Sequence, residues 1–151
     1  MIHEKLQKIQ HELKAPKNQR NNFGGYNYRS VEDIMQGLKP LLDEYGCTCT
    51  LSDEVVMIGE RYYIKATATL HDIEGIESYS VNGYAREDAN KKGMDVAQLT
   101  GSCSSYARKY ALNGLFCIDD TKDIDSMKPP TEEQKPVRRA RKPRVTSDCP
   151  F

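Results

Sequence analysis

Three stretches of the chain interleave cations with aromatic rings: Tyr26, Tyr28 and Arg29; Arg61, Tyr63 and Lys65; and Tyr106, Arg108, Lys109 and Tyr110. Cations that track a phosphodiester backbone beside rings that stack on bases are the chemistry of single-stranded nucleic-acid binding. Lys91 and Lys92 stand in the loop entering the last predicted helix, near its N-terminal end. Exposed amides and the helix dipole favour phosphate there. Arg86, near the end of a predicted strand, is grouped with these candidate DNA contacts. Arg61 and Lys65 also fit a plain solvated sheet face, and the spacing of Tyr106 and Tyr110 places them on the buried stripe of the last helix.

Catalytic motifs are sparse. The chain has no G-x-x-x-x-G-K-[ST] and no G-x-G-x-x-G opening a helix, which argues against an ATP-driven recombinase or helicase. His3, His11 and His71 form no H-E-x-x-H, and His71 reads as a solvated residue at a strand end. Asp119, Asp120, Asp123 and Asp125 resemble a calcium loop. However, Ile124 stands where the sharp turn needs glycine, and Pro130 where the bidentate glutamate belongs. Two readings of this segment remain, a magnesium site of a nuclease and an acidic exit from the last helix. Cys47, Cys49, Cys103, Cys117 and Cys149 are odd in number and scattered, the pattern of reduced thiols in a cytoplasmic protein. No metal site and no cofactor is expected.

The elements that must carry these residues follow from period and composition. At 151 residues, with 38% hydrophobic and 29% charged, the chain suits one domain. No apolar run approaches the roughly 18–20 residues of a membrane span, and the N-terminus lacks the order of a secretory signal. Lysine plus arginine (22) balances aspartate plus glutamate (22), but the balance is uneven along the chain. Residues 128–151 have net charge +4 and residues 1–127 net charge −4. With Pro129, Pro130, Pro136 and Pro143 and few apolar residues, the segment 128–151 reads as a disordered basic arm after a domain spanning 1–127.

Within that domain Ile2, Leu6, Ile9 and Leu13 recur at helical spacing. A polar loop with aromatics covers 18–29, and Ser30 with Asp33 then forms a capping box for a helix ending at Gly46, with a kink or break expected at Pro40. The period then falls to two. Residues 47–58, 61–71 and 78–86 read as a three-stranded antiparallel meander, turning at Gly59-Glu60 and around Asp72–Gly75. Its dry face carries Tyr62, Ile64, Ala66, Ala68, Leu70, Tyr79, Val81, Gly83 and Ala85. Val96, Leu99, Cys103, Tyr106, Tyr110 and Ala111 form the helical stripe expected to cover it. Ala97, Gly101, Ser104 and Ser105 give that helix a slim side, read as close packing on the sheet, with approach to a neighbouring subunit as the alternative. The fold class is α+β, in the order α-α-β-β-β-α.

Two blocks carry a family resemblance. Residues Phe23 to Ile34, with Leu38-Lys39-Pro40-Leu41-Leu42 and Gly46, resemble the opening of the ERF (essential recombination function) family of phage-type single-strand annealing proteins. Thr100 to Leu112, followed by Phe116, Ile118, Asp119 and Asp120, is similar to that family's glycine-serine, tyrosine-alanine-arginine and tyrosine-alanine-leucine signature with its trailing acidic pair. Cys103, Ser105 and Lys109 depart mildly from the pattern. The resemblance spans about residues 20–125 and implies a β-β-β-α core assembled into rings or filaments. It also implies annealing of complementary DNA strands without a nucleotide cofactor. Arg108 and Lys109 are then the foremost phosphate contacts, followed by Lys91 and Lys92, then Arg29 with Tyr28. A strand-protecting protein that does not anneal, and a magnesium-dependent nuclease, are the alternatives.

The chain's tip, Asp148-Cys149-Pro150-Phe151, resembles the end of bacterial single-stranded DNA-binding proteins, with one aspartate where that family has an acidic run. The resemblance implies that Asp148, Pro150 and Phe151 dock on host single-strand-binding or repair proteins, while the basic arm tethers DNA.

Overall fold

The computed structural model describes residues 1–22, 25–87 and 95–118. Helix α1 (Ile2–Glu12) buries Ile2, Leu6 and Ile9, the apolar side of its helical repeat. A short hairpin follows, β1 (Gln19–Asn21) antiparallel to β2 (Tyr26–Tyr28), where a loop was expected. Strands of three residues are too short to carry a readable period, so only tertiary context reveals them.

Helix α2 (Val31–Tyr45) begins with the expected capping box. The Asp33 amide donates to Ser30 Oγ at 3.2 Å, and the Ser30 amide donates to Asp33 Oδ2 at 2.9 Å. The backbone donor at Ser30 holds the Asp33 carboxyl below its usual range, against the opposing effect of burial. The helix ends at Gly46, whose φ of 62° is the left-handed conformation glycine adopts without steric cost. The break expected at Pro40 does not occur, and α2 is continuous across it. Pro40 removes the donor for the Gln36 carbonyl, but both residues are exposed and water can take its place.

Strands β3 (Cys47–Ile58), β4 (Arg61–Asp72) and β5 (Ser78–Arg86) form the antiparallel meander, with β4 central. Ile64, Ala66, Ala68 and Leu70 are buried, and Tyr63, Lys65, Thr67, Thr69 and His71 alternate with them on the open face. Thr67 bonds Asn82, Thr69 bonds Ser80, and Thr50 bonds His71 across that open face. Tyr62 and Tyr79 share the phase of the dry face but remain 54% and 42% exposed, because they lie near strand ends. Tyr79 meets the His3 ring edge-on at 5.3 Å.

Helix α3 (Val96–Phe116) is capped by Asp95, whose Oδ1 accepts from the Gln98 amide at 2.7 Å. It packs on β5 and β4, and its buried stripe is Cys103, Ala107, Ala111, Leu112, Leu115 and Phe116. This corrects the expected stripe: Val96, Tyr106 and Tyr110 are exposed. Gly83 on β5 sets the spacing. A Cβ there would fall 2.5 Å from the Ala107 carbonyl oxygen and 3.0 Å from Ala111 Cα. At that separation a tyrosine ring has no room between helix and sheet, so α3 turns its alanines inward and its tyrosines outward. The slim side expected on the sheet is also placed elsewhere, with Ala97, Gly101 and Ser105 exposed.

Gln10 donates to the Leu115 carbonyl at 2.9 Å, and Lys5 pairs with Asp72 at 2.8 Å, so α1 is tied to both helix and sheet. Among the described residues no helix is long and apolar enough to cross a membrane, and no group of histidine, cysteine and carboxylate residues is arranged to hold a metal. Cys47, Cys49, Cys103 and Cys117 are free thiols, and burial pushes Cys49 up to about 11, well away from a reactive thiolate. The expected domain end at Met127, the acidic segment 119–125 and the basic arm lie outside the described residues.

Candidate nucleic-acid interface

The outward tyrosines of α3 are the centre of the site. Tyr106 is 48% exposed and Tyr110 50%, with ring centroids 6.4 Å apart at a 30° tilt. They lie one helical turn apart, so they share a side of α3. The Lys109 ammonium sits 4.9 Å from the Tyr106 ring centroid, within cation–π range. That contact keeps a cation beside an open aromatic face, the pairing that single-strand binders use.

Two cavities meet at Ser102 and Tyr106, which line both. One, of about 250 Å³, is lined by Tyr28 and Arg29 from the end of β2, by Ser30, Val31 and Glu32 at the start of α2, and by Ser105 and Lys109 of α3. Arg29, Tyr28 and Lys109, three of the candidates picked from the sequence, therefore converge although 80 residues separate Arg29 from Lys109. Arg29 is itself buried, 5% exposed, a costly position for a guanidinium. The short β1–β2 hairpin is the element that delivers it there.

The second cavity, of about 410 Å³, runs along the edge of β5 that is unpaired among the described residues, and is lined by Tyr84, Ala85 and Arg86 with Leu99, Cys103 and Tyr110 of α3. On its helix side the Cys103 thiol donates to the Ala85 carbonyl at 3.2 Å.

Arg108 takes another direction. Its guanidinium forks onto Asp53 of β3, with Nε 3.0 Å from Oδ1 and Nη2 2.9 Å from Oδ2. Ser104 Oγ donates to the same carboxylate at 2.5 Å. Burial alone raises the Asp53 carboxyl, but the bonds from Arg108 and Ser104, with the Arg108 charge, outweigh it and hold the group below its usual range. The same hydrogen bond to Asp53 raises Arg108. Its side chain keeps 39% of its surface open to solvent.

Arg61 and Lys65 lie on the open face of the sheet, the opposite side from α3, together with Tyr63. They form a second cationic and aromatic group rather than part of the α3 cavities. Lys91, Lys92, Asp148, Pro150 and Phe151 lie outside the described residues. Sequence reasoning missed Asp53 as the partner of Arg108 and placed Tyr106 and Tyr110 in the core. The signal that could have corrected the latter is residue type, since a tyrosine hydroxyl needs a partner or water.

The described residues form an α+β domain with tyrosine and lysine outward on its last helix, beside a buried arginine. The chain belongs to the ERF superfamily, whose profile matches residues 2–147. It is 56% identical to the Essential recombination function protein of Salmonella phage P22 over 146 residues, covering 97% of this chain and 67% of the phage protein. No solved structure matches it.

Proposed function

We propose that this protein binds single-stranded DNA and anneals complementary strands in homologous recombination, without nucleotide hydrolysis and as an oligomeric ring or filament. The observation that carries the reading is the convergence of Lys109, Tyr106, Tyr28 and Arg29 on one cavity in a member of the ERF superfamily. The name of the phage P22 relative, Essential recombination function protein, supports the process. Lys109 and Arg29 take phosphates, Tyr106 and Tyr28 offer ring faces, and Arg108 adds charge from the flank. Arg86, Arg61 and Lys65 extend the cationic field along the β5 edge and the open face. Lys91 and Lys92, which precede α3 in the sequence, are taken as further phosphate contacts.

Annealing follows from how a strand is held. Gripping the backbone leaves base edges outward, and an extended strand has already lost part of the freedom that duplex nucleation removes. Copies in a ring align many weak phosphate contacts, so avidity supplies the grip that one site lacks. In this reading residues 1–127 anneal, and the basic arm 128–151 tethers DNA. Its tip at Asp148, Pro150 and Phe151 docks on host single-strand-binding or repair proteins in the cytoplasm of the infected bacterium.

The test is fluorescence anisotropy with a labelled oligothymidine over a salt series, with a magnesium arm. Tight binding at low salt that falls steeply as salt rises is expected, since the contacts are to phosphate. Binding that is flat in salt overturns the reading, and magnesium-dependent shortening of the oligonucleotide favours the nuclease alternative.

A further inference from the structure

We propose that the outer edge of β3 in one copy pairs with the free edge of β5 in the next, so that Val55 and Met57 of the first lodge in the β5-edge cavity of the second. This rests on the self-association proposed above and names the surface that performs it.

The last four residues of β3, Val55, Val56, Met57 and Ile58, are apolar on both faces of the strand. By register Val55 and Met57 face the helix side with Ile64 and Tyr62, while Val56 and Ile58 face the open side with Tyr63 and Arg61. A strand apolar on both faces has the pattern of a sheet interior, yet β3 is an edge. Val55, Met57 and Ile58 are 60%, 64% and 55% exposed. Free edges are ordinarily guarded by lysine or proline, and β3 contains neither. Its unpaired N–H and C=O groups, flanked by apolar side chains, call for another strand.

The same chain offers one. Among the described residues β5 pairs only with β4, leaving its outer edge free. Because β3 and β5 are both antiparallel to β4, they run in the same direction. A second copy in the same orientation therefore extends the sheet by parallel pairing, with helix side continuing helix side. That alignment sets Val55 and Met57 beside the cavity bounded by Ala85, Leu99 and Cys103, where an unbranched thioether is well suited to an irregular gap. Charge agrees. Strand β3 carries Asp53 and Glu54 and no cation, whereas β5 carries Arg86 and no carboxylate. Glu54 and Arg86 share the open face, where their attraction favours this joint and a glutamate at position 86 would instead repel Glu54. The joint uses two different surfaces, which makes it repeat into a ring or filament rather than stop at a dimer.

The test is sedimentation velocity on the full chain without DNA, using Met57→Lys and Arg86→Glu. The wild type is expected to sediment as a multimer and each variant as a monomer. The equimolar mixture is expected to form a dimer and nothing larger, because Arg86→Glu keeps its β3 and Met57→Lys keeps its β5. Circular dichroism and the melting midpoint confirm that each variant is folded, with Val55→Lys as a second β3 variant should Met57→Lys fail that control. Wild-type size in both β3 variants, or a mixture that stays monomeric, overturns the proposed joint while leaving self-association intact. A wild type that is monomeric both free and bound to DNA overturns self-association as well.

Discussion

Arg108 on α3 and Asp53 on β3 form a forked ion pair with contacts of 2.9 to 3.2 Å, so a leading cation of the ERF-like signature is held by a carboxylate of its own chain. Asp53 both aims the guanidinium and competes for it with any phosphate. Replacing Asp53 by asparagine keeps the shape and removes the competing charge. Asp53→Asn is expected to tighten binding of a short oligothymidine at low salt about 2- to 5-fold, the size of an exposed ion pair of roughly 0.4–1 kcal/mol. Anisotropy titration measures it, and weaker binding would show instead that Asp53 presents Arg108 to DNA.

The same pair has a pH signature. The folded-state Asp53 carboxyl is depressed, so its stabilisation is present above the ordinary aspartate value of about 4 and is lost as pH falls through the folded value. The gap in melting midpoint between wild type and Asp53→Asn is expected to be constant from neutral pH to pH about 5 and to close as pH falls below about 4. Since both side chains are partly open to water, the gap corresponds to no more than about 1 kcal/mol. Thermal melts across that range are the check.

Tyr106 is half-exposed, so removing its ring should leave the fold standing while costing DNA affinity. Loss of one stacked base amounts to about 1–3 kcal/mol, or roughly 5- to 150-fold. Tyr106→Ala is expected in that range and Tyr106→Phe near wild type. Lys109→Ala is expected to lower the slope of log affinity against log salt by about 0.7, one phosphate contact on a single strand. Unchanged affinity and slope in these variants would remove the α3 cavity from the interface.

Gly83 lies close under α3, where a Cβ would fall 2.4 Å from the Ala111 nitrogen and 2.5 Å from the Ala107 carbonyl oxygen. Gly83→Ala is expected to destabilise by about 1–3 kcal/mol through overpacking, read from urea unfolding. A variant as stable as wild type would mean that α3 rides higher on the sheet.

The sheet was the most legible part of the molecule. Ile64, Ala66, Ala68 and Leu70 alternate with polar neighbours without interruption, and only one register buries them together. The capping box at Ser30 and the stop at Gly46 were equally plain, because both are local chemistry. Helix α3 was harder. Its larger residues, Leu99, Tyr106 and Tyr110, suggest one phase, while the contact surface is made of Ala107 and Ala111 against Gly83. Small residues carry little hydrophobic signal, and their role appears only when a second backbone is close. For the site, Tyr28, Arg29 and Lys109 were identifiable by type, but the hairpin that brings Arg29 to Lys109, and the tie from Arg108 to Asp53, are long-range relations with no local pattern.

The most direct test of the central claim is the time course of duplex formation from two labelled complementary oligonucleotides, without nucleotide or magnesium, for wild type and for Tyr106→Ala combined with Lys109→Ala. Wild type is expected to pair them well above the spontaneous rate, and the double variant to fall back toward that rate while still folded. Pairing at the spontaneous rate with wild type, or full acceleration by the double variant, would contradict strand annealing through the α3 cavity.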